Sequence, residues 1–308
     1  MKTSEVVVNV EGLRMRYGAT DVLHEVSFRA YRGEVLCLLG PNGAGKTTTI
    51  EIMEGFRMRS AGRVEVAGAD PAHGGEDWRA RIGIVLQSWR DHGKWRVREL
   101  LEHLGRYYAA YTTESVERPW NAEELIAAVG LTEQADHKVK MLSGGQRRRL
   151  DVAIGLVGRP EVAFLDEPTA GLDPVARRAF HKLIDDLAAE GATTIMLTTH
   201  DLAEAEKLAD RILVLDNGRI IADGTAAELA RQIAGTDEVR WDRDGQSFQQ
   251  STPDATGFTF ELFQRFGREI ENLEVRRASL EDTYLSLVHQ SESETHAMDT
   301  PETKLVAR

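Results

Sequence analysis

Runs of almost wholly apolar residues at 35–39, 81–87, 161–168 and 193–199 predict buried strands, because a strand covered on both faces has no need for polar alternation. Shorter and more alternating runs predict strands at 6–10, 13–18 and 22–28, with turns after Gly18 and across 32–34. A further short strand is expected over 60–68, between glycines, and a hairpin over 211–224 with Asn217-Gly218 at its turn. Helical spacing begins near Gly45 and runs through Ile50, Ile52 and Met53. It returns at Val97, Leu100, Leu101 and Leu104, at Leu125, Ile126 and Val129, and at Leu150, Val152, Ile154 and Leu156. Asp173 before Pro174 has the pattern of an N-cap followed by a proline at the first helical position, opening a helix to about Glu190-Gly191. Other helices are expected from His200-Asp201 and from Thr225 through Leu229. From about Ala234 the pattern weakens: 238–243 alternates, 258–266 reads as an amphipathic helix, Leu273 and Val275 alternate, and Leu280, Tyr284, Leu287 and Val288 return to helical spacing.

This order predicts an α/β chain with a mainly parallel core sheet, an antiparallel β subdomain and a helical insert, followed by a small α+β appendage. The expected division is 1–232, with the insert at about 88–142, then an accessory module over 233–290 and a disordered Ser/Glu/Thr-rich tail over 291–308. Composition narrows the class. Of the 308 residues, 42% are hydrophobic and 29% charged, as in soluble globular proteins. The net charge of −12 argues against nucleic acid as a partner. No run approaches the ~20 apolar residues of a membrane helix, and no signal peptide is evident. Cys37 is the only cysteine, so no intrachain disulfide can form, and its apolar setting suits a buried, inert thiol.

The chemistry concentrates in residues 40–48, Gly40-Pro41-Asn42-Gly43-Ala44-Gly45-Lys46-Thr47-Thr48, placed between a strand and a helix. Glycines there let consecutive N–H groups curl around an anion, the helix start adds unsatisfied donors, Lys46 adds a cation, and the Thr47 hydroxyl can ligate Mg²⁺. Asp166 and Glu167 end an apolar strand, where ligands of parallel sheets bind. Alternation points them apart, Asp166 toward a metal and Glu167 toward an attacking water. Leu142-Ser143-Gly144-Gly145-Gln146 opens a helix and forms a second anion site of the same physical kind. Several residues keep two readings. Tyr17 could stack on adenine or only pack; Gln87 could ligate Mg²⁺ or only end a strand. Asp173 is fully explained by capping, and His200 either contacts a γ-phosphate or belongs to helix-start geometry. Arg147, Arg148 and Arg149 read as a solvated face with one or two buried ion pairs. The aromatics Trp89, Trp95, Tyr107, Tyr108, Tyr111 and Trp120 form either the insert's core or an interface. The remaining histidines show no metal-ligand spacing.

Taken together and in this order, the motifs at 40–48, Gln87, 142–146, 162–167, 171–173 and His200 resemble the ATP-binding-cassette (ABC) ATPases over about residues 4–230. The resemblance implies ATP and Mg²⁺ as ligands. Tyr17 would stack on adenine and residues 40–48 would hold the phosphates. Thr47, Gln87 and Asp166 would serve the metal, Glu167 would be the general base, and His200 would contact the γ-phosphate. Ser143, Gly144, Gly145 and Gln146 would close over ATP held by a second, identical subunit, with Asp173 helping across that interface. Residues 279–285 and 171–174 resemble the daunorubicin-resistance type of exporter subunit, which binds a separate membrane permease from the cytoplasmic face. Its permease would dock near the Gln87 loop and the helical insert. Importer ATPases and cytosolic ABC ATPases acting on DNA or ribosomes are the alternatives within the family.

Overall fold

Parallel pairing of the apolar runs builds the central layer. The structure, a computed structural model, describes residues 5–85, 92–234 and 237–276, the side chains of 231–234 excepted. The chain opens with β1 Val6–Tyr17, β2 Thr20–Tyr31, β3 Val35–Leu39, α1 Lys46–Met53 and β4 Ala61–Val66. Next come α2 Glu76–Arg79, β5 Ile82–Val85, α3 Val97–Tyr108, α4 Ala122–Ala128, α5 Gly144–Leu156 and β6 Val162–Asp166. Then follow α6 Pro174–Glu190, β7 Thr194–Thr199, α7 Leu202–Leu208, β8 Arg211–Asp216 and β9 Arg219–Gly224. The last elements are α8 Ala226–Ala234, β10 Asp237–Arg243, β11 Gln246–Thr252, α9 Ala255–Phe266 and β12 Glu271–Arg276.

Six strands form one sheet in the order β5-β6-β7-β3-β8-β9, with parallel pairing from β5 through β8. Every residue of β3 and β7 is buried, as expected for strands with helices on both faces. The register sets the site: Leu39 lies opposite Thr199, and Thr198 lies opposite Asp166. The carboxyl ends of β3, β7 and β6 therefore finish side by side. A separate antiparallel sheet, β2-β1-β4, shares a core with α1 through residues such as Leu13, Leu23, Val64 and Ile50. Asn217 and Gly218, at φ 45° and 72°, join β8 to β9 with the left-handed pair a tight hairpin turn needs.

In the helical segment, Val97, Leu100, Leu101, Leu125, Ile126 and Leu131 are buried. The aromatics at its edge are not: Tyr107 is exposed, and Trp95, Tyr108, Tyr111 and Trp120 are half-buried. Aliphatic side chains at helical spacing thus make most of this core, and the described aromatics lie at its edge. Trp89 lies outside the described residues.

By compactness the chain divides at Ile220/Ile221, within β9, and α8 goes with the second unit. That unit holds a three-stranded antiparallel sheet, β11-β10-β12, and α9, whose buried residues are Val239, Ala255 and Leu262 with Trp241, Phe258 and Phe266 beside them. The sequence reading found β10, α9 and β12 but missed β11. Gln246–Thr252 is too polar to show a buried face, yet Asp244-Gly245 before it, both at positive φ, was the available hairpin signal. The helical spacing at 280–288 and the tail at 291–308 lie outside the described residues.

Candidate functional site: a phosphate loop beside two carboxylates

β3 delivers the chain to the loop at 40–45, and α1 leaves from it. Gly40 is required by space: a Cβ there would lie 2.1 Å from the Leu215 carbonyl oxygen. Gly45, the N-cap of α1, sits at φ 104° with Leu23 2.6 Å from where a Cβ would be. The hairpin turn supports the loop from outside, since Gly218 N–H donates to Ala44 O at 3.1 Å. Lys46 is buried and folds back, its Nζ donating to Gly40 O at 2.8 Å and Pro41 O at 3.1 Å. Burial pushes its ammonium below the usual lysine range, with Glu167 and Asp166 opposing that shift. Asn42, Gly43 and Thr47 face solvent, and Pro41 and Thr48 are half-buried.

Asp166 and Glu167 end β6 against this loop. Asp166 Oδ2 accepts from Thr47 Oγ1 at 3.3 Å, and Asp166 Oδ1 accepts from Thr198 Oγ1. The Thr198 hydroxyl also takes the Glu167 N–H at 2.9 Å. It thereby holds Glu167 at φ 43°, a left-handed conformation that costs a residue with a Cβ roughly 1 kcal/mol or more. Glu167 Oε1 lies 3.9 Å from Lys46 Nζ and 3.2 Å from His200 Nδ1. Asp201, not His200, caps α7, through the N–H groups of Ala203 and Glu204. Capping therefore does not account for His200, whose ring is 54% exposed and reaches Glu167. Thr198 was missed in the sequence reading; the hint was a hydroxyl at the end of an otherwise apolar strand.

Among the described residues no hydrogen bond or ion pair ties the other expected site residues to this cluster. Tyr17 is exposed, not in the core, with the Arg57 guanidinium 5.1 Å from its ring centroid. Ser143 is the N-cap of α5 in a reciprocal capping box: Gln146 N–H donates to Ser143 Oγ at 3.3 Å, and Ser143 N–H donates to Gln146 Oε1 at 3.0 Å. Gly144 is open to solvent, whereas a Cβ on Gly145 would meet Ala176 of α6 at 2.6 Å. Asp173 caps α6 through Val175 and Ala176 N–H, at 2.8 and 2.9 Å. Among the described residues no hydrogen bond joins residues 143–146 to the phosphate loop. Gln87 lies outside the described residues.

The three consecutive arginines separate. Arg147 pairs with the buried Asp151 at 3.1 Å, and Arg149 donates to Gly130 O. Arg148 turns inward, donating to Pro168 O at 2.7 Å and Asp166 O at 3.2 Å. This ties α5 to the end of β6, a role for backbone carbonyls that side-chain spacing along a helix does not reveal.

Hard oxygen donors at Thr47 and Asp166, with water access on one side, suit a cation that leans on phosphate oxygens. Among the described residues no group of three or more His, Cys, Asp or Glu is arranged to hold a metal by itself. A glycine-built loop at a strand–helix junction, with a lysine and two carboxylates behind it, defines a P-loop nucleoside-triphosphatase. Comparison with known proteins narrows this. Residues 23–170 match the family described as ABC transporter. Nod factor export ATP-binding protein I of Ralstonia nicotianae is 42% identical over 237 residues, covering 77% of this chain and 72% of its own. Daunorubicin resistance ATP-binding protein DrrA2 of Streptomyces coeruleorubidus is 35% identical over 319 residues, covering 95% of this chain and 98% of its own. A solved ATP-binding subunit of an ABC transporter superposes with TM-score 0.66 at 26% identity, over 92% of this chain and 99% of that one. The chain belongs to the ATP-binding proteins of ABC transporters, and it is an ATPase.

Proposed function

We propose that this chain is the ATPase subunit of an exporter, working from the inner face of the membrane on a separate permease through head-to-tail pairing of two identical cassettes. The names of its relatives, which include fluoroquinolone export and doxorubicin resistance ATP-binding proteins of Mycobacterium tuberculosis, favour export. No helix among the described residues is long and apolar enough to cross a membrane, and the relatives named as export ATP-binding proteins support a permease in a separate chain. Residues 1–232 act as the nucleotide-binding part and 233–290 as an accessory module.

The observation that carries the catalytic reading is the convergence of Lys46, Thr47, Asp166, Glu167 and His200 at the ends of three adjacent strands. Residues 40–48 hold the phosphates, and Tyr17 receives the base. Thr47, Gln87 and Asp166 would hold Mg²⁺, which when bound neutralises charge on the phosphate oxygens. Glu167 takes a proton from the attacking water as its oxygen bonds to the γ-phosphorus and the bridging bond to ADP breaks. His200 steadies the γ-phosphate side and orients Glu167. Ser143, Gly144, Gly145 and Gln146, presented on the exposed start of α5, and Asp173 complete the site of a partner cassette. Two anion sites on one chain, only one with lysine and carboxylates, are both used on a single nucleotide when subunits pair with two-fold symmetry. We infer that the permease docks near the Gln87 loop and the helical insert, with which a groove of about 490 Å³ lined by Glu54, Phe56, Tyr107 and Tyr108 is consistent.

The test is Mg²⁺-dependent ATP hydrolysis by purified protein. Glu167→Gln should lower turnover ~10²–10⁴-fold while ATP still binds. Wild-type turnover in that variant would remove Glu167 from the reaction, and failure to co-purify with any membrane protein would remove the exporter assignment.

A further inference from the structure

Behind the residues that face the phosphates lies an acid that the reaction does not call for. Glu204, in the first turn of α7, is 2% exposed. Its Oε2 accepts the Thr199 hydroxyl at 2.6 Å, and the same hydroxyl oxygen accepts the Asp201 N–H at 3.0 Å. The residues on both sides of His200 are therefore bound to one buried hydroxyl, and that hydroxyl is bound to Glu204. Asp201 is fixed again by its capping bonds and by Arg177 of α6 at 3.0 Å. The other carboxylate oxygen of Glu204, Oε1, faces His181 Nε2 of α6 at 3.9 Å, and neither of those atoms has a hydrogen-bond partner.

An ionisable carboxyl in such a place is costly, and a leucine would fill the space between α6 and α7 without that cost. Helix capping does not explain the acid either, because Asp201 already performs it. What Glu204 does is hold the Thr199 hydroxyl, which in turn takes the Asp201 N–H, so that one buried acid fixes the 199–201 turn that presents His200.

We propose that Glu204 is a positioning residue, which through Thr199 keeps His200 in register with Glu167. The inference rests on the catalytic reading of Glu167 and His200 given above. Glu204 touches no substrate and acts through the His200 turn. Removing it leaves the phosphate loop intact but lets the His200–Glu167 contact wander, so the loss falls on the chemical step and not on binding.

The experiment compares Glu204→Gln, Thr199→Val, Thr199→Ser, His200→Ala and the double variant Glu204→Gln/His200→Ala in the full chain. Steady-state hydrolysis, ATP binding and thermal midpoint are measured for each. Glu204→Gln and Thr199→Val should lose about 10- to 100-fold in kcat, with KM changed less than about twofold. Thr199→Ser, which keeps the hydroxyl, should stay near wild type. Adding Glu204→Gln to His200→Ala should slow it no further, a result that a general loosening of the fold would not produce. Losses that multiply in the double variant, or equal losses in Thr199→Ser and Thr199→Val, would overturn the proposal. Should Glu204→Gln fail to fold, the Thr199 pair decides the matter alone. Full turnover in Glu204→Gln and Thr199→Val beside an inactive His200→Ala would sink this inference only; full turnover in His200→Ala would sink the reading beneath it as well.

Discussion

Lys46 shows how a single buried cation is kept ready. Two loop carbonyls take two of its three donors, while desolvation lowers its pKa and Glu167 and Asp166 partly oppose that. Incoming phosphate oxygens have to offer more than those carbonyls, which a doubly charged γ-phosphate does and a neutral ligand does not. Glu54, about two helical turns beyond at the end of α1, has no such compensation. Burial, with Asp166 and Glu51 adding to it, pushes its carboxyl up to about 8 from an ordinary 4.5. Between those two values the folded chain keeps a proton that the unfolded chain has released, so stability falls as pH rises through the window. The thermal midpoint of the wild type should therefore decline more from pH 5 to pH 8 than that of Glu54→Gln, by calorimetry. Parallel declines would show that Glu54 ionises as freely in the folded chain as in the unfolded one. None of this was legible in the sequence, where Glu54 is one acid among many at the end of an amphipathic run. Its desolvation comes from the packing around it.

At the scale of elements, the phosphate loop is shaped by neighbours remote in sequence. The Leu215 carbonyl of β8 sits where a Gly40 side chain would begin, while nothing lies within 4 Å of a Cβ placed on Gly43. Gly43→Ala meets only the strain of φ 85°, about 1 kcal/mol. Gly40→Ala carries no such strain but must push two hydrogen-bonded strands apart, and should cost more, about 1–3 kcal/mol, with loss of nucleotide binding. Denaturant unfolding of the two variants checks this, and equal stabilities would contradict it. The motif pattern foretold that both positions are glycine-dependent loop residues, but not that one is held by space and the other by backbone conformation. The same limit explains Arg148: three adjacent arginines look alike along a helix until β6 supplies carbonyls for only one of them. It also explains β11, whose strand nature rests on pairing with β10 and not on any apolar face of its own.

For the whole molecule, the separation of the Ser143–Gln146 capping box from the phosphate loop is the feature with the largest consequence. No hydrogen bond among the described residues joins these two segments, and under the proposed function pairing is what would bring both onto one nucleotide. Glu167→Gln saturated with ATP should sediment as a dimer. Adding Ser143→Arg should return it to monomer, because Ser143 is exposed and the change costs the fold only about 1 kcal/mol of capping. A monomer in both cases, with ATP bound, would contradict the pairing. Under the proposed function, loss of the phosphate contacts after hydrolysis would then shift the population toward the separated state.

By itself the sequence determined the P-loop, the paired carboxylates, the parallel core and the family they resemble, because each depends on local spacing: glycines between a strand and a helix, acids at the end of an apolar run. Only the tertiary structure decided that Thr198 locks Asp166 and Glu167, that Asp201 leaves His200 free to meet Glu167, that Arg148 turns inward, and that Glu204 lies behind the site. Those contacts join segments far apart in the chain, and strand register and helix packing, which no local pattern encodes, bring them within hydrogen-bond reach.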